Sequence, residues 1–287
     1  MNIFYLVLIF VLGASVGSFV NVLIYRTKIE YQKSNKKLKR KEHCYRFLLG
    51  RSYCDHCKRQ LKWWENIPII SYIFLKGKCR TCHSPIPVEY LIVELFTGII
   101  FLLIGFKVTS YELRVNTILL TSYFLLLTSF LVIIFLYDLH YQIIPDYAIM
   151  SLVLLSLLVH ILDNFSISWP ARIATQSVAG GFLGFLASGL LASLFFLFLH
   201  LITKGRGMGW GDVKFAFFVG FLLGWPRSLI AFYIAFLTGA LLGVILILVK
   251  KKKFGQTISF GPFLVFGTFV ALFYGEAILR NFNLIIK

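Results

Sequence analysis

Apolar positions gather along this chain into eight runs, at residues 3–24, 88–106, 118–136, 143–162, 178–201, 213–224, 228–249 and 260–279, with one long polar insertion after the first. A helix needs about 20 apolar residues to cross a hydrocarbon core about 30 Å thick, and seven of the runs approach that length. The run at 213–224 is shorter and rises only about 18 Å as a helix. The first run is too long for a signal-peptide core and has neither a basic leader nor a convincing cleavage site, so it is expected to stay as an anchor. The predicted fold is therefore all-α: a polytopic membrane bundle of about eight transmembrane helices. Small residues at fourfold spacing in the fifth run, Gly180, Gly184 and Ser188, are expected to let helices pack closely.

Composition sharpens this picture. Of 287 residues, 59% are apolar and 14% charged, against about 45–50% and about 25% in soluble domains. A water-soluble globule is excluded. The net charge of +17 has to sit in loops, because a charge at mid-bilayer costs at least about 2.5 kcal/mol. The insertion 26–87 holds 16 of the 29 Lys and Arg, which by the positive-inside rule places it in the cytoplasm and Met1 outside. With eight spans the cytoplasmic loops also collect Lys204, Arg206, Lys214 and Lys250 to Lys253. Lys107, Arg114, Arg172, Arg227, Arg280 and Lys287 remain outside. Deleting the short sixth run moves the four-lysine run to the outer face, so charge parity keeps it. Three segments result: an anchor at 1–25, a basic loop at 26–87 and a seven-helix membrane domain at 88–287.

Within the loop, Cys54-x-x-Cys57 and Cys79-x-x-Cys82 are separated by 21 residues. Two such hairpins can close a tetrahedral Zn²⁺ site, giving a small zinc-ribbon-like domain whose metal supplies folding energy. Two disulfides or a redox role compete, but a cytoplasmic loop keeps its thiols reduced. His56 and His83 stand beside the pairs but are not needed to complete the shell, and Cys44 is unpaired. The lysine-rich stretch 33–41 reads as a solvated segment facing membrane lipid headgroups. Nucleic acid is not an expected partner: the loop has few aromatics suited to stacking, notably Trp63 and Trp64, and its basic character follows from topology alone.

Only 12 residues are acidic. Asp138 falls at the cytoplasmic end of the third span. Asp212 falls in Gly207-Met208-Gly209-Trp210-Gly211-Asp212-Val213-Lys214, at the start of the sixth. Two carboxylates reaching one leaflet from different helices can share a proton and activate water against a peptide carbonyl. The glycines suit close approach of an extended substrate backbone and φ angles closed to other residues. On spacing alone, Asp212 could equally cap a helix and Asp138 could be a boundary charge. Asp146 is a rival member of the pair. A transporter would instead carry acids deep within its spans. Glu276 is the one such candidate, and near the outer end it suits a snorkelling or paired residue.

Five motifs occur in order: Gly17-Ser18-Phe19-Val20-Asn21-Val22 with Arg26; the two pairs Cys54-x-x-Cys57 and Cys79-x-x-Cys82, framing Trp64 and Ile67-Pro68; Asp138 with Ile144-Pro145-Asp146; and Gly209-Trp210-Gly211-Asp212-Val213-Lys214. Together they resemble the bacterial type IV prepilin peptidases. The resemblance implies an inner-membrane aspartic protease of the GxGD type that cuts the short basic leader of prepilins or pseudopilins after a glycine on the cytoplasmic side. In the bifunctional branch, associated with the full cysteine set, the new N-terminus is then methylated from S-adenosylmethionine. By the motif match Asp138 and Asp212 are the catalytic pair, and Glu94 matches a recurrent family glutamate and is a candidate for the methylation site. Helix dipoles and nearby Lys214 lead us to expect Asp212 as the base and Asp138 as the acid. A membrane methyltransferase without protease activity would instead tolerate loss of both aspartates.

Overall fold

The computed structural model describes residues 3–34, 51–54, 56–110, 117–164, 181–205, 207–250 and 258–281. Residues 35–41 of the lysine-rich stretch, Cys44, Arg114, Arg172, Gly180, Arg206, Lys251 to Lys253 and Lys287 lie outside them. The chain forms two compact units, Met1–Ser129 and Phe130–Lys287. Among the described residues there is no β-strand, only the isolated bridges Tyr53 to Gln60 and Lys78 to Pro85.

The helices are α1 (Ile3–Ser34), α2 (Ile70–Phe74), α3 (Val88–Ser110), α4 (Thr117–Tyr141), α5 (Asp146–Asn164), α6 (Gly181–Ile202), α7 (Trp210–Leu223), α8 (Arg227–Leu248) and α9 (Gly261–Asn281). The eight long ones stand where the eight apolar runs predict helices. Among the described residues, six of these are long and apolar enough to cross a membrane: α1, α3, α4, α6, α8 and α9. The apolar part of α5 is shorter. Helix α7 has 14 residues, about 21 Å of rise, so it does not span the hydrocarbon core unaided. Ten of its residues are buried, which makes it the core of its unit instead of a lipid-facing span.

In the first unit α1 packs on α3 through glycines. A Cβ on Gly13 would lie 2.7 Å from the Phe101 side chain, and one on Gly17 would lie 2.2 Å from Thr97 Oγ1 and 2.9 Å from the Glu94 Cα. The missing side chains let the two backbones approach, and dispersion contacts accumulate along the seam. Asn21 Nδ2 then donates to the Tyr90 carbonyl at 3.0 Å. The Gly17 to Asn21 segment thus sets the position of the turn of α3 that carries Glu94. Gly17→Ala is expected to destabilise this unit by about 1–3 kcal/mol through overpacking, read as a lower denaturation midpoint in detergent micelles.

In the second unit α7 lies against α6, where a Cβ on Gly220 would meet the Ser188 carbonyl oxygen at 2.6 Å and the Gly189 Cα at 2.8 Å. Close packing at Ser188 is as expected, with Gly189 as its unforeseen partner. Helices α8 and α9 meet where a Cβ on Gly267 would lie 2.2 Å from the Ala231 carbonyl oxygen. His160 Nε2 lies 3.0 Å from the Phe221 carbonyl oxygen and ties α5 to α7. Arg227, expected in a loop, is the first residue of α8 and is only 2% exposed. It faces Glu276 at 3.6 Å, and Glu276 also pairs with Arg280, so this glutamate belongs to an ion-pair cluster.

Candidate active site

Asp138 is in the last turn of α4, and Asp212 is in the first turn of α7. Both are buried, 5% and 8% exposed, in a chain where acids are scarce. They are close enough for the charge of one to act on the other. Each accepts one backbone N–H: Gly261 N donates to Asp138 Oδ2 at 2.7 Å, and Gly209 N donates to Asp212 Oδ2 at 2.9 Å. The rival Asp146 is exposed and held by Lys214 Nζ at 2.7 Å.

These contacts revise several expectations. Asp212 does close back on the N-cap residue Gly209, as a capping residue does, yet it stays buried beside Asp138. Lys214 serves Asp146, so it gives Asp212 no special charge support. Asp138 receives an N–H at the start of α9, the positive end of a second helix. Both carboxylates therefore sit at helix N-termini, and the dipole argument that made Asp138 the acid and Asp212 the base loses its footing. The pair is better treated as one coupled unit.

The glycines also act differently from expectation. Gly207, Gly209 and Gly211 do not adopt positive φ; nearby, Gly205 does, at +74°. A Cβ on Gly211 would press on Ile144 at 3.0 Å, and one on Gly207 on Thr203 at 2.9 Å, so both serve packing. His200 Nδ1, 2.8 Å from the Met208 carbonyl oxygen, braces this turn.

Gly261 was missed in the sequence. A Cβ there would lie 2.6 Å from Asp138 Oδ2 and 2.9 Å from its Cγ, so only glycine lets the start of α9 reach the carboxylate. The Gly261-Pro262 pair opening the last apolar run was the available signal. Gly261→Ala is expected to push Asp138 aside and cut turnover by about 10²-fold. An unchanged circular dichroism spectrum would separate this from unfolding.

The four cysteines come together in the first unit. Their sulfurs all lie within 4.8 Å of one another, with Cys54 to Cys82 at 3.7 Å. A tetrahedron of Zn–S bonds of about 2.3 Å has edges of about 3.8 Å, and a disulfide needs about 2.05 Å, so the geometry fits a metal. Two matching knuckles present the sulfurs. In one, Lys58 N donates to the Cys54 carbonyl and Cys54 N to the Arg59 carbonyl; in the other, His83 N donates to Cys79 and Cys79 N to Ser84. The Ser84 hydroxyl and backbone N–H bring the Cys82 thiol down to about 6. The Arg59 N–H also favours the Cys57 thiolate, but burial and hydrogen bonds with Cys54, Cys82 and Cys79 outweigh it and push that thiol up to about 11. Without a cation such a cluster cannot ionise fully, and a metal displaces the remaining protons.

Beside the knuckles, Glu65 accepts Lys62 N–H at 2.8 Å and Arg59 Nη2 at 2.6 Å. Burial raises its carboxyl, but these donors and the Arg59 charge more than offset that and hold it below the ordinary range. Glu94 is buried on α3, its Oε2 accepting Ile69 N–H at 2.7 Å.

Comparison with known proteins matches residues 11–108 to the Bacterial Peptidase A24 N-terminal domain and residues 125–244 to the Type IV leader peptidase family. A prepilin leader peptidase/N-methyltransferase of Aeromonas hydrophila is 32% identical over 286 residues, covering 96% of this chain and 93% of the relative. Its namesake in Legionella pneumophila is 32% identical over 275 residues, covering 93% and 90%. That of Stutzerimonas stutzeri is 30% identical over 281 residues, covering 95% and 91%. No solved structure matches the chain.

Proposed function

Because the chain belongs to the type IV leader peptidase family, we propose that it is a bifunctional multi-pass inner-membrane enzyme that removes the basic leader of prepilins or pseudopilins after a glycine and then methylates the new N-terminus. The observation that carries the reading is the convergence of two buried carboxylates, Asp138 and Asp212, from separate helices of one unit. One takes a proton from water while the other donates to the scissile carbonyl oxygen, and the proton returns to the leaving amine as the C–N bond breaks. No covalent intermediate is required. Gly261 and Gly209 fix the two carboxylates through their backbone N–H groups.

In this reading 1–25 is the anchor, 26–87 the cytoplasmic loop and 88–287 the catalytic membrane domain. The N-terminus is outside and both aspartates face the cytoplasm, which the concentration of Lys and Arg in 26–87 supports. A basic leader followed by an apolar segment would insert with its leader inside and bring the scissile bond to that face. Cys54, Cys57, Cys79 and Cys82 hold a structural Zn²⁺, which supplies folding energy and no chemistry to cleavage. S-adenosylmethionine, when bound, supplies an electrophilic methyl group to the new amine, and Glu94 is our candidate residue for that step. Anionic lipids neighbour the basic loop.

The test is co-expression with a prepilin, followed by mass analysis of the pilin N-terminus. The expected product lacks the leader and is heavier than the bare mature chain by one methylene unit. An uncut prepilin refutes the proteolytic reading, and a cut, unmodified one removes methylation alone.

A further inference from the structure

The short helix α2 is amphipathic in the reverse of the usual sense. Ser71, Tyr72 and Leu75 line a cavity of about 220 Å³ in the first unit, which Glu94 of α3 also borders. Ile70, Ile73 and Phe74 share the opposite face at helical spacing and are exposed, Phe74 by 82%. No residue of α2 is buried. The preceding turn, Trp63–Asn66, packs on α2 and adds two exposed indoles, Trp63 and Trp64, edge to face at 5.5 Å. A helix in water turns its apolar side to the core, and an apolar patch turned outward marks a partner.

A backbone contact fixes the depth of this patch. Ile69 N donates to Glu94 Oε2 at 2.7 Å, and the Glu94 Cα lies about 9 Å along α3 from Val88. Its side chain leans back toward Val88, so α2 starts between that level and the end of the helix. The apolar span of α3 is Val88–Val108, 21 residues or about 31 Å, and a hydrocarbon core of about 30 Å uses all of it. The start of α2 is therefore a few ångströms inside the leaflet at the Val88 end, the depth at which interfacial helices bury an apolar face. Beside it α3 turns Ile92 and Phe96 outward. Ile69 makes its contact at φ +63°, a costly conformation for a β-branched residue, and Ile70 N donates across it to the Pro68 carbonyl. A strained turn held by a buried carboxylate gives α2 one fixed orientation.

Charge agrees with this placement. Lys62 precedes the indoles, with its Nζ 4.8 Å from the centre of the Trp64 ring, and Lys76 and Lys78 follow Phe74, all three exposed. Tryptophans and lysines bordering an apolar face suit a bilayer interface, where indoles sit at headgroup level and ammonium groups meet lipid phosphates.

We propose that Trp63, Trp64, Ile70, Ile73 and Phe74 form a membrane-inserted wedge, seated at the acyl-chain boundary of the leaflet at the Val88 end of α3, with Lys62, Lys76 and Lys78 at its anionic headgroups. A basic loop near lipid needs only its charges; here one face of α2 enters the apolar layer and holds the cavity against the bilayer. The inference depends on α3 crossing the membrane and on neither proposed reaction.

The test uses the full chain in nanodiscs of phosphatidylcholine and phosphatidylglycerol. Subtracting the Trp63→Phe/Trp64→Phe variant, which keeps the aromatic surface, isolates the fluorescence of the two indoles. That component is expected to fall at least about twofold with phospholipids brominated near the carbonyl end of their acyl chains, and to change by less than about a tenth with aqueous iodide. The reverse pattern places the indoles in water and overturns the wedge. A benzophenone side chain in place of Phe74 is expected to crosslink to phospholipid on illumination, as is one in place of Phe96. A crosslink from position 74 to a second copy of the chain or to a co-expressed prepilin identifies a protein partner instead and overturns the proposal. Lipid adducts at position 96 without any at 74 overturn the wedge alone, and adducts at neither remove the membrane placement of α3 and the wedge with it. Neither measurement requires activity, so both enzymatic readings stand or fall separately.

Discussion

Asp138→Asn and Asp212→Asn are each expected to lower leader removal by roughly 10²–10⁴-fold, the contribution typical of a positioned acid or base, with little change in helical content. Asparagine keeps the shape and can still accept the N–H of Gly261 or Gly209, so the loss isolates the proton-transfer function from packing. In the proposed mechanism the carboxylates act as a unit, so the double variant is expected to be no slower than the worse single variant. Quantifying processed pilin over time in reconstituted membranes checks all three. Cleavage that survives both changes refutes the aspartic mechanism. Asp146→Asn is the control: its side chain is exposed and paired with Lys214 at the surface, and it is expected to change the rate less than about twofold.

Cys79→Ser, or removal of metal with a strong chelator, is expected to unfold the knuckle region while the membrane helices persist. Binding of structural zinc to small knuckle peptides is worth about 10–16 kcal/mol. The segment around the four cysteines has little else to replace it: no strand among the described residues, two isolated bridges, a 3-10 turn at Trp63–Asn66 and the short helix α2. Cys79 is the buried member of the set and also borders the cavity of the first unit. Zinc content by atomic absorption is expected to drop from stoichiometric to trace, and limited proteolysis to begin cutting within 51–87. A metal-free chain that resists the protease equally well would show that the knuckles stand without zinc.

The helical architecture was legible in the apolar runs because lipid imposes one rule on every span: backbone polar groups must be satisfied within the segment. The same rule says nothing about which helices are core. The 213–224 run looked like a short span on charge parity, and the structure makes α7 a buried pillar, because its apolar residues face α6, α5 and other protein helices. The knuckles were readable for a local reason: each C-x-x-C turn is closed by hydrogen bonds within five residues. Gly261 was not, since its importance comes from an atom 123 positions earlier in the chain. The dipole argument for dividing acid and base was local in the same way. It considered each aspartate with its own helix, and the start of α9 lends Asp138 the same kind of support that Gly209 lends Asp212.

From sequence alone came the membrane class, the places of the helices, the sulfur cluster and the scarce acids, all of which depend on local periodicity, hydrophobicity or short spacing. Tertiary structure decided which carboxylates are buried together, which glycines bring backbones into contact, that Arg227 lies inside the protein, and that a cavity opens beside Glu94. Those outcomes depend on contacts between distant segments, whose geometry is set by close packing of whole helices and is not encoded in any single stretch of chain.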